Sequence, residues 1–140
     1  MEIGKAVSEM KIGDFAEFTK TVTESDVYQF AGITGDFNPA HINEEYAKTT
    51  MFKTRIAHGM LSAGFISTVL GTKLPGPGTI YLKQELAFIA PVKIGDTVTA
   101  RVEVKDLIPE KNRVILRTVC KNQDGKEVLD GEAVMMAPKK

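Results

Sequence analysis

The stretch from His58 to Gly71, HGMLSAGFISTVLG, constrains the fold more than any other part of the chain. Its residues are apolar or small on every side of a helix, and Gly71 is placed to end that helix. A helix without a polar face is normally buried on all sides, and this one is much shorter than the roughly 20 residues of a membrane span. The pattern therefore predicts a helix inside the core of a domain.

Strand patterns follow this helix, after a run of breakers at residues 74–78, LPGPG. The clearest strand covers residues 97–105, in which Val98, Ala100, Val102 and Val104 alternate with polar residues. We predict three further strands, at residues 79–89, 113–122 and 127–136, with a turn between the last two.

A strand and two short helices are expected before the central helix. Phe15 to Val22 has a strand pattern, and Thr23 with Asp26 three residues later resembles a capping box that opens a helix ending near Gly35. Asn43 is a suitable N-cap for a second short helix. Helices followed by a run of strands predict an α+β domain, with an antiparallel sheet curled around one buried helix. A chain of 140 residues fits one such domain, spanning residues 1–140.

Composition excludes several classes of partner. The chain has 18 Lys and Arg against 18 Asp and Glu, and no segment carries a run of like charge. We therefore expect neither nucleic-acid nor membrane binding. The first residues, MEIGKAVSEMKIGD, lack the apolar core of a signal peptide, so we expect a cytoplasmic protein. The lone Cys120 is expected to be a buried thiol, and neither histidine lies at metal-ligand spacing from it, so no metal is expected.

The motif GDFNPAH, residues 35–41, contains the strongest candidate for chemistry. Asp36 and His41 are suited to acid–base work near neutral pH, and Pro39 stiffens the loop between them. The alternative is a turn aspartate beside a surface histidine, since Gly-Asp also occurs in the two KIGD turns at residues 11–14 and 93–96. The spacing alone leaves both interpretations open.

A second feature lies at the head of the predicted central helix. The first turn of a helix presents free N–H groups and a positive dipole end, and Gly59 would allow a ligand to approach them closely. His58 is interpreted as a structural cap. Ser62 and Ser67 are interpreted as small packing residues, because no GxSxG motif surrounds either of them.

Three segments together resemble a known family: AGITGDFNPAHINEEYA, RIAHGMLSAGF and LPGPGTIYLKQELAFIAPVKIGD. They are similar to the (R)-specific enoyl-CoA hydratases, the hydratase 2 or MaoC-like group of the hot-dog fold, and the similarity extends from about residue 10 to residue 136. The resemblance implies that Asp36 and His41 are the catalytic pair and that the Gly59 N–H binds the oxyanion. It also implies that Asn38 orders the loop and that Ser67 lies in or near the pocket. Ala40 departs from the family pattern, which commonly has a larger aliphatic residue there.

The resemblance further implies the reaction. Water would add syn across the double bond of a trans-2-enoyl-CoA to give (R)-3-hydroxyacyl-CoA, with dehydration as the reverse reaction. Coenzyme A would enter as part of the substrate, without any separate cofactor. The chain would form at least a homodimer, as hot-dog proteins usually do. Candidates for contacting the coenzyme A phosphates are Lys53, Arg55 and Lys83.

Two other functions are compatible with the residues. A hot-dog acyl-CoA thioesterase would attack the thioester carbonyl instead of the alkene, although many of these enzymes carry a carboxylate on or beside the central helix and residues 58–71 contain none. A non-catalytic acyl-CoA-binding module would keep the fold without turnover. Acyl chain length, pathway and the choice between coenzyme A and acyl carrier protein are left open.

Overall fold

The computed structural model describes every residue from Met1 to Lys140. It contains five strands, four α-helices and two short 3-10 turns at Val7–Glu9 and Pro109–Lys111. In chain order, the elements are β1 (Phe15–Thr21), α1 (Glu24–Thr34), α2 (Pro39–Ile42), α3 (Glu44–Ala47), α4 (Gly59–Thr72), β2 (Ile80–Phe88), β3 (Thr97–Ile108), β4 (Arg113–Lys121) and β5 (Glu127–Met136).

All five strands form one antiparallel sheet in the order β1-β3-β4-β5-β2. Consecutive strands β3, β4 and β5 make a meander in its middle, which leaves β1 and β2 as the two edges. The alternation predicted for residues 97–105 is confirmed, since Val98, Ala100, Val102 and Val104 are all buried while the residues between them are partly exposed. One face of the sheet is therefore apolar and the other carries polar side chains.

Helix α4 packs against the apolar face of the sheet, as predicted. Ile66, Val69 and Leu70 are fully buried against sheet residues such as Val102 and Leu116. Each large apolar side chain removed from water in this way contributes about 1.5–3 kcal/mol, so the helix–sheet contact contributes several kcal/mol to stability. The arrangement confirms the predicted hot-dog fold. No helix has both the length and the apolar character needed to span a membrane.

The start and end of helix α1 follow local signals in the sequence. Thr23 Oγ1 accepts a hydrogen bond from the Asp26 N–H, and the Asp26 carboxylate accepts one from the Thr23 N–H, so the predicted capping box is present. Gly35 ends the helix in the left-handed conformation at φ 82°, which glycine adopts without steric cost. The chain therefore leaves α1 in a fixed direction just before Asp36.

One stripe of α4 is exposed in the single chain, contrary to the expectation that the helix would be covered on all sides. Met60 is 58% exposed, and Gly64 and Ser67 are also exposed. The reason is geometric, because the sheet covers only one side of the helix and the exposed stripe faces out beside edge strand β2. That strand is itself apolar and exposed at Ile80 and Leu82.

Candidate active site

The loop that contains Asp36 is held by its own short-range hydrogen bonds. The Asp36 N–H donates to Thr34 Oγ1 at 3.2 Å, and the Asn38 N–H donates to Asp36 Oδ1 at 3.2 Å. Asn38 Oδ1 accepts from the Ala40 N–H at 3.0 Å, while Pro39 begins helix α2. Asn38 thus takes part in two of the hydrogen bonds within this loop. The Asp36 carboxylate itself remains exposed to solvent.

His41 is held in one tautomer by the backbone. Its ring is 8% exposed, and its Nδ1 lies 2.6 Å from the carbonyl oxygen of Ile56. A carbonyl oxygen can only accept a hydrogen bond, so Nδ1 carries a proton, and in the neutral imidazole the free lone pair is then on Nε2. His41 is thus prepared to accept a proton at Nε2.

His58 occupies the N-cap position of α4, but its side chain makes no cap hydrogen bond. Instead its Nε2–H donates to the backbone carbonyl of Asp36 at 2.9 Å, and its ring lies 3.9 Å from the His41 ring, centroid to centroid, at an angle of 31°. The His58 ring also contacts Phe30, with 4.7 Å between ring centroids. The interpretation of His58 as a capping residue is therefore wrong for its side chain, which connects the two candidate catalytic residues.

Asp36, His41 and His58 come close enough to suggest a metal site, since one ligand atom from each lies within 4.8 Å of the others. A metal bound to histidine lies along a nitrogen lone pair, however. Nδ1 of His41 and Nε2 of His58 each donate a hydrogen bond to a backbone carbonyl, so these two nitrogens have no lone pair for an ion. The arrangement favours proton transfer over chelation.

Gly59 is the first residue of α4, and its N–H donates to no backbone carbonyl. It therefore remains available as a donor, as expected for the first turn of a helix. The ring of Phe88 packs directly against Gly59, because a Cβ added at this position would lie 2.6 Å from two Phe88 ring carbons. Phe88, at the end of β2, is 54% exposed. Any larger residue at position 59 would displace this ring from beside the free N–H.

A cavity and a groove meet at His41, His58 and Gly59. One is a mainly apolar cavity of about 320 Å³, and the other is an open groove of about 320 Å³ that contains Asp36. His41, His58 and Gly59 line both spaces. The apolar wall of the cavity is formed by Phe52, Ile56, Ala57, Phe88, Ile89, Ala90, Pro91, Val92, Val128 and Leu129. A molecule with an apolar part and a polar reacting centre therefore fits this junction.

The structure separates Ser67 from the acid–base residues. Ser67 lines a different cleft, of about 430 Å³, together with Phe30, Met60 and Leu82. Phe30 and Met60 also line the groove that contains Asp36, so the two spaces are neighbours. Ser62, one turn earlier on α4, is the serine that lines the apolar cavity beside His41.

The candidate contacts to phosphate have different surroundings. Arg55 is bound to Glu24, with Nη1 to Oε1 at 2.9 Å, and it also donates to Tyr28. Hydrogen bonding to Glu24 raises the pKa of Arg55. Lys83 pairs with Glu85 at 3.3 Å. The guanidinium of Arg55 is thus occupied within the protein, which leaves Lys53 and the exposed Lys83 as the more accessible candidates.

Cys120 is fully buried, as expected, and burial raises the pKa of its thiol to about 12.

The sequence did not indicate two contacts at this site: those of the His58 ring with Asp36 and His41, and the packing of Phe88 over Gly59. The one available signal was that His58 is the only histidine besides His41.

The sheet wrapped on a central helix places this protein in the hot-dog class, and the candidate residues Asp36 and His41 lie beside the residues where that helix begins. Comparison with known families gives the narrower assignment, since the family model described as MaoC like domain matches residues 8–126. The chain belongs to this MaoC-like family.

Relatives at high identity cover nearly the whole chain. It is 62% identical to an (R)-specific enoyl-CoA hydratase of Rhodospirillum rubrum over 130 residues, which are 93% of this chain and 90% of the relative. It is 52% identical to a 3-hydroxybutyryl-CoA dehydratase of Methylorubrum extorquens, covering 94% of this chain and 83% of that protein. The solved structure of the R-hydratase PhaJ1 from Pseudomonas aeruginosa is similar at a TM-score of 0.93 and 50% identity, covering 98% of this chain and 88% of that one.

Proposed function

We propose that this protein is an (R)-specific enoyl-CoA hydratase, which adds water to a trans-2-enoyl-CoA to give (R)-3-hydroxyacyl-CoA and catalyses the reverse dehydration. The observation that carries the proposal is the meeting of a carboxylate, an imidazole with a free Nε2 and a free helix N–H beside an apolar cavity. Relatives at 62% and 43% identity are (R)-specific enoyl-CoA hydratases. The reaction transfers no electrons, so it requires no redox cofactor.

In the proposed mechanism His41 is the base and Asp36 the acid. His41 Nε2 removes a proton from water, because Nδ1–H is already bound to the Ile56 carbonyl. The hydroxide adds to C3, and Asp36, which also orients the water, enters the step as a protonated carboxyl group and gives its proton to C2. The step leaves Asp36 ionised and His41 protonated, and the proton then passes from His41 to Asp36 through solvent, which resets the site. The roles of the two residues exchange in the dehydration direction.

Besides a base and an acid, the reaction needs a donor that stabilises negative charge on the thioester oxygen. The Gly59 N–H supplies this donor. The charge develops as hydroxide attacks C3, and the free N–H at the positive end of α4 is aimed at stabilising it. Both proton-transfer groups lie near the same helix end, so water and proton reach the same face of the double bond. This geometry supports syn addition.

We further propose that the chain works as a homodimer paired through β2. Edge strand β2 exposes Ile80, Leu82 and Phe88, and the neighbouring stripe of α4 exposes Met60. Pairing two β2 strands would join both sheets, remove two unpaired edges and cover these apolar groups. Because Phe88 also contacts Gly59, coenzyme A would bind near the boundary between subunits. The cytoplasmic location expected from the sequence stays a prediction.

The test is to add crotonyl-CoA to the purified protein and follow loss of the conjugated enoyl absorbance, free thiol and product chirality in one sample. Formation of (R)-3-hydroxybutyryl-CoA without thiol release is the expected result. Thiol release would identify a thioesterase instead. Binding of short- and medium-chain enoyl-CoA without either reaction would identify a binding module. Repeating the assay with crotonyl-acyl carrier protein distinguishes the two carriers.

A further inference from the structure

We infer that His58 is a positioning residue that holds Asp36 and His41 in their reactive arrangement. The inference rests on the proposed hydratase function, in which Asp36 and His41 transfer protons. It assigns to His58 a role that differs from theirs, because His58 is 2% exposed and its Nε2–H is already bound to the Asp36 carbonyl rather than free for a reacting atom. Its effect on the reaction therefore passes through the residues it contacts.

The contact with Asp36 is the first part of the argument. The hydrogen bonds of Asp36 to Thr34 and Asn38 span two residues each and only shape the loop. The bond from His58 Nε2–H to the Asp36 carbonyl spans 22 residues, and it connects the loop to the head of α4. It therefore sets the distance between the exposed Asp36 carboxylate and the Gly59 N–H, which follows His58 directly in the chain. The hydrogen bond from His58 therefore positions Asp36, the proposed acid, relative to Gly59, the proposed oxyanion donor.

The contact between the rings of His58 and His41 is the second part of the argument. At 3.9 Å between ring centroids and an angle of 31°, the His58 ring covers one face of the His41 ring. The Ile56 carbonyl fixes His41 at Nδ1 only, which leaves the ring free to tilt about that hydrogen bond. Contact with His58 limits the tilt and keeps Nε2 directed at one place. Phe30 packs on His58 in turn, with 4.7 Å between centroids.

A purely structural role does not account for the chemistry of this residue. Nδ1 of His58 is buried without any hydrogen-bond partner, which costs stability. An apolar side chain of similar size would fill the same space without this cost. It could not donate to the Asp36 carbonyl, however. The imidazole is therefore better explained by what its Nε2–H holds in place than by core packing.

A matched pair of variants separates the hydrogen bond from the volume of the side chain. In His58→Gln, the amide nitrogen can reach the position of Nε2 and donate to the Asp36 carbonyl. In His58→Asn, the shorter side chain places its amide near the position of Nδ1 and cannot reach that carbonyl. We expect His58→Asn to lower kcat for crotonyl-CoA about 10- to 100-fold with KM little changed, because misplacement of reacting groups acts mainly on the chemical step. His58→Gln should recover most of the lost kcat.

Hydrogen exchange at the amides of residues 35–41 provides a second readout, which does not depend on activity. Exchange there should be faster in His58→Asn than in the wild type and near wild-type in His58→Gln. Equal kcat in the wild type and His58→Asn would overturn the inference, and so would unchanged exchange in His58→Asn. Equal loss of kcat in both variants would also overturn it. An inactive wild type would refute the proposed hydratase function, while the exchange data would still decide whether His58 holds the loop.

Discussion

At the scale of single residues, Asp36 and His41 lie in contrasting surroundings. Asp36 is exposed and is positioned through its backbone, whereas the His41 ring is buried and positioned through its side chain. Substitutions can therefore remove the proton-transfer group of either residue without removing the contact that holds it. This property makes the proposed roles separable by mutation.

Asp36→Asn and His41→Asn should each lower kcat for enoyl-CoA hydration by about 10²- to 10⁴-fold, the usual contribution of a general acid or base. Asn at position 36 keeps the backbone carbonyl that His58 binds. Asn at position 41 places its amide near the former Nδ1, so it can still donate to the Ile56 carbonyl while lacking Nε2. Steady-state kinetics measures the effect, and thermal unfolding checks that both variants remain folded. Near-normal hydration by both variants would contradict the assignment.

Gly59→Ala should fold normally but lose kcat, because alanine keeps the N–H while its methyl group obstructs the approach of the thioester oxygen. The loss should approach the roughly 10²- to 10³-fold that follows when an oxyanion donor is removed. Its methyl group would lie 2.6 Å from ring carbons of Phe88. The half-exposed Phe88 side chain can swing away, so the stability cost is small, but the space beside the N–H becomes crowded. Gly71→Ala is the matched control on the same helix, because no atom lies within 4 Å of a Cβ there. Equal activity in both variants would argue against Gly59 as the oxyanion site.

At the scale of elements, a cluster of side chains joins α1, α3 and the segment that enters α4. The Glu44 carboxylate accepts hydrogen bonds from Thr54 Oγ1 at 2.7 Å and from the Arg55 N–H at 3.1 Å. Arg55 in turn binds Glu24 on α1. The residue after Arg55 is Ile56, whose carbonyl holds His41. The cluster thus supports the backbone position that holds His41, without contacting His41 itself.

This cluster predicts a pH dependence of stability. The hydrogen bond from Thr54 lowers the pKa of Glu44, with further lowering by the Arg55 backbone N–H and guanidinium. A carboxyl group with a lower pKa in the folded state stabilises the fold above its unfolded pKa, about 4.3, and this contribution is lost as the pH falls through the folded pKa. Glu44→Gln should therefore be less stable than the wild type at pH 7, and the difference should shrink toward pH 3.

Denaturant unfolding at several pH values measures this difference. Glu45→Gln is the control, because Glu45 is exposed and pairs only with Lys48 on the same surface. It should leave the stability nearly unchanged, as is usual for an exposed ion pair. A stability difference for Glu44→Gln that stays constant from pH 7 to pH 3 would show that the charge of Glu44 is not responsible.

The elements that the sequence predicted well are those with local signals. The Thr23 capping box, the end of α1 at Gly35 and the alternation along β3 each depend on residues a few positions apart. The chemistry of the residues had already made Asp36, His41 and Gly59 candidates, and the family resemblance added the roles of catalytic pair and oxyanion donor. The contact between His58 and Asp36 joins residues 22 positions apart, and the contact between Phe88 and Gly59 joins β2 to α4. Such contacts depend on how elements pack, for which residue spacing contains no signal.

At the scale of the whole molecule, one group of exposed apolar side chains lies along edge strand β2 and the neighbouring stripe of α4. Ile80 and Leu82 on β2 belong to this group with Met60 on α4, and they are 52%, 43% and 58% exposed. Leu82 and Met60 line the same cleft. A contiguous apolar face next to an unpaired strand edge is typical of a surface that another chain covers.

Leu82→Glu should therefore convert the proposed dimer into monomers, because it places a charge in the face that would become buried. Sedimentation or light scattering should give twice the chain mass for the wild type and the single chain mass for the variant. Hydratase activity should fall with the loss of the dimer. Ile12→Glu is the control, since Ile12 is also an exposed aliphatic residue but precedes edge strand β1. A monomeric wild type would contradict the proposal.

The proposed reacting groups and the wall of the apolar cavity come from different segments of the chain, and this separation has an evolutionary consequence. The groups proposed for proton transfer come from residues 35–41 and the proposed oxyanion donor comes from the head of α4, whereas much of the apolar cavity wall comes from residues 88–92 and from Val128 and Leu129. Mutations in the wall can therefore accumulate without altering the acid, the base or the oxyanion donor. A lineage with this architecture can diversify in the acyl chains it accepts while its reaction stays the same.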